Sequence, residues 1–154
     1  MNDATRGRGR ILPPVYLLLS LILMMWLRWF LSGPAIVLLP LRYAGILLFA
    51  FGATLVLYVA SLFRRAGTTI RPFQESSALV AQGPFRVSRN PIYLGMVAAL
   101  IGIGLMLGTA VPFLVVPAFA VLIDLRFIRA EEADLERTFG ESYRNYKARV
   151  RRWL

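Results

Sequence analysis

From Asn90 to Ile123 the chain carries no charged residue: NPIYLGMVAALIGIGLMLGTAVPFLVVPAFAVLI. A protein of 154 residues has no water-soluble interior large enough to wrap such a stretch, whereas a bilayer accepts it at no cost. Two earlier runs repeat the pattern. Ile11 to Leu31 is interrupted only by Arg28, and Tyr43 to Phe63 carries no charge. The runs are continuous rather than alternating, which selects helices over barrel strands. Gly108-Thr109 to Pro112 divides the long run into a hairpin. The expected fold is therefore all-α: a single integral membrane domain with four transmembrane helices at about 11–31, 43–63, 91–107 and 112–130. A loop (64–90) and a charged amphipathic C-terminal tail (131–154) complete it.

Charge gives the orientation. The net charge is +10, and all but Arg28 and Arg42 of the eighteen basic residues fall in the N-terminal segment, the 64–90 loop or the C-terminal part. Basic residues clustered at the ends of apolar runs orient helices in a membrane, so no nucleic-acid partner is expected. Four spans with both termini in the cytosol satisfy the tally and put loop and tail on one side. The basic start before the first run has the look of a signal peptide, but without a small-residue cleavage site a retained anchor is expected. Trp26, Trp29 and Phe30 fit an interfacial belt, with Arg28 snorkelling outward. Gly45 and Gly52 permit close helix contact.

The chain contains no cysteine and no histidine. Disulfides, thiolate nucleophiles and the commonest metal ligand are thereby removed, as is the usual base near neutral pH, and no metal is expected. Any chemistry falls to carboxylates, tyrosines, arginines, backbone groups or a cofactor.

The polar stretch Leu79 to Gly95, LVAQGPFRVSRNPIYLG, interrupts this plan. Gly83-Pro84 gives a turn. Asn90-Pro91 reads as a helix start, with Asn at the N-cap and Pro at the first helical position. A helix N-terminus beside Arg86 and Arg89 suits a carboxylate or phosphate. The apolar residues interleaved through the loop argue that it is ordered. After Asp124, Arg126 and Arg129 the tail reads RAEEADLERTFGESYRNYKARVRRWL. Gly140 ends one helix there. Tyr143, Tyr146, Val150 and Trp153 then recur at helical spacing, a face that either lies on anionic lipid or folds over the loop as a lid.

Taken together, these segments resemble the isoprenylcysteine carboxyl methyltransferase family of membrane enzymes that use S-adenosylmethionine. The resemblance rests on Leu79-Val80, Gly83-Pro84-Phe85 and Arg89-Asn90-Pro91-Ile92-Tyr93, followed after a hairpin by Glu131-Glu132-Ala133-Asp134-Leu135, Phe139-Gly140, Tyr143 and Tyr146. It covers roughly residues 63–154, and Asn90 stands where the family has histidine. It implies a cytosolic S-adenosylmethionine pocket formed by Ser77, Ala78, Leu79, Val80, Gly83, Phe85, Arg89, Asn90, Pro91, Ile92, Tyr93, Glu131, Tyr143 and Tyr146. It further implies Arg126 or Arg129 at the substrate carboxylate, with Glu132 beside them as a third catalytic candidate.

Methyl transfer from a sulfonium is an in-line displacement, in which catalysis consists mainly of positioning and excluding water. A carboxylate acceptor needs no strong base, which suits a chain without histidine. The expected partners are membrane lipids and a lipophilic methyl acceptor, a carboxylate first and a phospholipid amine second. Two other readings differ in class: a relative of the membrane sterol reductases using NADPH, and a non-catalytic membrane subunit.

Overall fold

The computed structural model describes residues 12–31, 34–65, 79 and 81–154. These residues are helical, with no strand among them beyond two isolated bridges, Ala35 to Thr109 and Ser88 to Arg151. Most of the 64–90 loop, and with it the expectation that the loop is ordered, lies outside the described residues.

Among the described residues, five helices follow one another: α1 (Pro13–Phe30), α2 (Leu39–Arg65), α3 (Pro91–Leu107), α4 (Val115–Ile123) and α5 (Arg129–Arg149). A single π-helical turn, Asp124–Ile128, joins α4 to α5 without a break in the helical path. Among the described residues, three helical stretches are long and apolar enough to cross a membrane: Pro13–Phe30, Leu39–Arg65 and Val111–Arg149. α3, at 17 residues, is apolar but shorter. The protein is thus an all-helical integral membrane protein with three to four helices able to span. The spanning part of the last stretch ends where α5 and its dense charge begin.

α3 lies at the centre. Its Tyr93, Met96 and Leu100 pack with Met24 of α1, with Val115, Val116, Phe119 and Ile123 of α4, and with Phe127 and Ile128 of the π turn. By contrast, α1 and α2 turn large side chains outward, among them Leu18, Ile22, Leu47 and Leu57, all more than half exposed. Such a girdle is stable only against acyl chains.

α2 and α3 run antiparallel with their backbones in contact, because Gly45 faces Gly102 and Gly52 faces Gly95. A Cβ on Gly102 would sit 2.6 Å from both the Gly45 carbonyl and the Phe49 amide nitrogen. No side chain fits there. In lipid, where apolar burial does not drive association, this close approach is what fastens the pair.

At the far end of α3, Gly108 closes the helix with φ 78°. Its carbonyl accepts from Ile36 N–H at 3.0 Å. The Arg42 guanidinium packs against the same glycine, and Arg28 Nε donates to the Leu107 carbonyl at 3.2 Å. Cations at a helix C-terminus complement its dipole. Arg28 is exposed, as expected, and in addition holds the end of α3.

α5 is two helices meeting at Gly140, whose φ of 52° and ψ of −119° are non-helical. The second half folds back on the first, and Lys147 bonds Glu136 at 3.2 Å although eleven residues separate them. After Arg149 the chain becomes extended (Val150 φ −121°, ψ 131°). Trp153 consequently lies on a strap rather than on the helical face expected for it, and still packs against the core. The tail folds over the polar loop instead of lying free on lipid.

Candidate active site at the start of α3

Gly83 (φ 59°) and Pro84 set a 3-10 turn, Gly83–Arg86, that rests on the last turns of α2. Phe85 is buried edge-on to Phe63, with ring centroids 5.5 Å apart. The turn delivers Ser88, Arg89 and Asn90 to the strap. Arg89 N–H donates to the Arg151 carbonyl at 2.9 Å. Ser88 Oγ and Asn90 Nδ2 both donate to the Arg152 carbonyl, at 3.2 and 3.0 Å.

Asn90 is the N-cap residue, as expected, but its side chain makes no capping bond. Its Nδ2 donates to the strap, and its Oδ1, the atom that could cap, accepts from none of the first N–H groups of α3. Pro91 behind it is fully buried.

α5 supplies the other wall. Glu131 and Glu132 are neighbours in sequence and point to different partners, as a helical rotation of about 100° per residue requires. Glu131 Oε1 accepts from Tyr93 Oη at 2.7 Å. Burial pushes the Glu131 carboxyl up to about 7; the Tyr93 bond opposes that rise, and Asp134 and Glu132 add to it.

Glu132, itself buried, accepts from Arg152 at 2.7 and 3.2 Å and pairs with Arg89 at 3.2 Å. Arg152 also reaches Asp124 at 3.2 Å, and Arg129 holds the other Asp124 oxygen at 2.9 Å. The strap is thus tied down by two carboxylates. Arg89 keeps two guanidinium nitrogens, Nε and Nη1, buried without a hydrogen-bond partner. A buried guanidinium with idle donors is costly unless an anion completes it.

Tyr146 Oη donates to the Phe85 carbonyl at 2.7 Å. Burial pushes the Tyr146 hydroxyl up to about 12, and that of Tyr143, whose ring lies 6.0 Å away, higher still. Both stay neutral near pH 7.

Of the expected site residues, Phe85, Arg89, Asn90, Pro91, Tyr93, Glu131, Glu132, Tyr143 and Tyr146 converge here. Ile92 is half-buried and packs on the core. Leu79 lines a cleft with Tyr146, and Gly83 faces Tyr58 and Leu62. Ser77, Ala78 and Val80 lie outside the described residues. Arg129 sits at the edge, on Asp124. Arg126 is exposed in an open apolar groove with Pro117, Val121 and Leu125, and forms no ion pair among the described residues. Sequence reasoning missed Ser88 and Arg152. Their roles depend on the strap returning over the loop, a contact 62 to 64 residues apart with no local signature.

The family comparison makes the chain a membrane methyltransferase, its helical body apolar on the outside and its polar residues gathered at the start of α3. The chain belongs to the phospholipid methyltransferase family, part of the isoprenylcysteine carboxyl methyltransferase-like group, whose profile matches residues 41–142. It is also 41% identical over 63 residues to an uncharacterized protein of Haemophilus influenzae, a stretch that covers 41% of this chain and the whole of that protein. No solved structure matches.

Proposed function

We propose that the protein transfers a methyl group from S-adenosylmethionine to a lipophilic acceptor at the membrane surface, both termini lying in the cytosol. The observation that carries this reading is a buried polar cluster at the start of α3 with groups of both signs. The unmatched donors of Arg89 and the uncapped start of α3 suit the donor's carboxylate. The Glu131–Tyr93 pair suits its cationic end. When bound, S-adenosylmethionine supplies an electrophilic methyl. The chain's own part is to hold the donor's two ends, to exclude water with the strap and the tyrosine pair, and to leave the lipid side open for the acceptor. Glu132 fixes Arg89 from behind. Arg129, and Arg126 further out on the lipid side, stand as the cations for an acceptor carboxylate.

A carboxylate acceptor asks for no base. A phospholipid amine, the second reading, must lose a proton, and it is favoured by Glu131, whose carboxyl near 7 can take one. In either case Arg89→Gln and Glu131→Gln should each weaken S-adenosylmethionine binding roughly tenfold or more, the scale for losing a charge-assisted bond. Calorimetry on the purified protein reads this directly. Normal binding in both variants would remove the site, and stabilisation by NADPH instead of S-adenosylmethionine would return the chain to the reductase reading. Incubation with labelled donor and a total lipid extract then identifies the acceptor.

A further inference from the structure

Arg28 and Arg42 lie at the end of α3 away from the candidate active site, about 25 Å along a helix of 17 residues. Arg28 Nε donates to the Leu107 carbonyl at 3.2 Å, and the Arg42 guanidinium rests on Gly108, the next residue. Two full positive charges are therefore held on consecutive residues. Neither forms an ion pair among the described residues, where every pair involves the π turn, α5 or the strap. The sequence between Asp3 and Glu75 contains no Asp or Glu that would serve them.

Helix capping accounts for part of this charge only. A helix C-terminus offers about half a negative elementary charge, which leaves a surplus of roughly one and a half positive charges. The Gly108 carbonyl is moreover already taken by Ile36 and Val37 N–H, at 3.0 and 3.3 Å. Arg42 Nε is buried without a hydrogen-bond partner, and so is the hydroxyl of Thr109, a residue only 4% exposed that follows Gly108. Unmatched donors beside surplus cations form a receptor for an oxyanion.

The surroundings select the source of that anion. Arg28 stands in the last turn of α1, next to Trp29, which is 81% exposed, and between Trp26 and Phe30, whose rings stack 5.2 Å apart. Ile36 and Leu38, on the connection to α2, are apolar and exposed. Aromatic and aliphatic side chains around fixed arginines mark the level where acyl chains give way to headgroups. A small water-borne anion gains nothing from these apolar neighbours, whereas a lipid engages both.

We infer that Arg28, Arg42 and Thr109 bind the oxyanion of an anionic lipid headgroup in the leaflet opposite the candidate active site. This lipid is a resident partner of the helix ends and not a methyl acceptor, so the inference stands apart from the proposed reaction.

The test is calorimetry on the full chain in neutral-detergent micelles without methyl donor. The probes are dihexanoylphosphatidylglycerol, inorganic phosphate and dihexanoylglycerol. The phosphatidylglycerol should bind saturably, weaken with added salt, and bind roughly tenfold or more weakly to the Arg28→Gln/Arg42→Gln double variant. Dihexanoylglycerol should not compete. Arg42→Gln alone removes a side chain that makes no hydrogen bond among the described residues. It should keep the lipid-free thermal midpoint, which shows that it is folded, and still lose roughly threefold or more in lipid affinity. Undiminished phosphatidylglycerol binding by both variants overturns the site, because the lipid then binds elsewhere on the protein. Inorganic phosphate binding as tightly as the lipid overturns the assignment to a lipid, and a wild type that binds no phosphatidylglycerol overturns the inference outright.

Discussion

At the scale of single residues, the two adjacent glutamates divide the labour. Glu132 is a strut between two arginines, and removing it strands a buried guanidinium. Glu132→Ala should cost about 3–5 kcal/mol in urea unfolding, the range for breaking a buried pair from one side. Glu131 is a carboxyl whose ionisation burial resists. Its folded value lies near 7, above the ordinary 4.5, so the protein without donor should lose stability as pH rises from about 5 to 7 and level off above. Glu131→Gln should flatten that slope. A bound cation reverses the preference, so S-adenosylmethionine affinity should climb with pH through about 7 in the wild type and stay flat in Glu131→Gln. A titration at pH 6 and pH 8 checks both.

At the scale of elements, the α2–α3 pair and the strap carry the architecture. Gly95→Val would drive a side chain into the Gly52 carbonyl and Val56, where even a Cβ would come within 2.8 Å of that oxygen. The expected outcome is a thermal midpoint lower by several degrees and loss of donor binding, since α3 carries Asn90 and Tyr93 at its start. The apolar helices were legible from the sequence because hydropathy over such a length admits few alternatives. Gly45 and Gly52 were legible as packing residues, though their partners on α3 were not. Asn90 was rightly placed at the N-cap, yet local preference could not foresee that its amide would be taken by Arg152, a tertiary contact outweighing a local one. The Trp153 register failed for a related reason: periodicity continues past Arg149, but the strap's bonds to Ser88 and Arg89 hold the backbone extended. Removing residues 150–154 should leave the Ser88 hydroxyl, the Arg89 N–H and the Asn90 side-chain amide without their carbonyl acceptors and weaken S-adenosylmethionine binding while leaving the helical circular dichroism nearly intact.

At the scale of the whole molecule, the two ends of α3 lie in different surroundings. One end holds carboxylates, tyrosines and the strap; the other holds Arg28 and Arg42 against Leu107 and Gly108. The orientation proposed from the arginine tally puts the first end in the cytosol. Because the chain has no cysteine, single cysteines at exposed Glu141 and Ile36 can report on this without background. In intact cells an impermeant thiol reagent should label the Ile36→Cys protein and spare Glu141→Cys. The reverse labelling would invert the molecule and put the pocket on the wrong side for a cytosolic methyl donor.

The strap also fixes an order of events during biosynthesis. Ser88 and Asn90 leave the ribosome more than sixty residues before Arg152, the residue whose carbonyl they share. Until Glu132 follows, Arg89 lacks its carboxylate, and until Arg152 follows, Glu132 lacks the arginine of the strap. The nascent chain can thus have its helices in the membrane before the strap closes over Ser88 and Asn90.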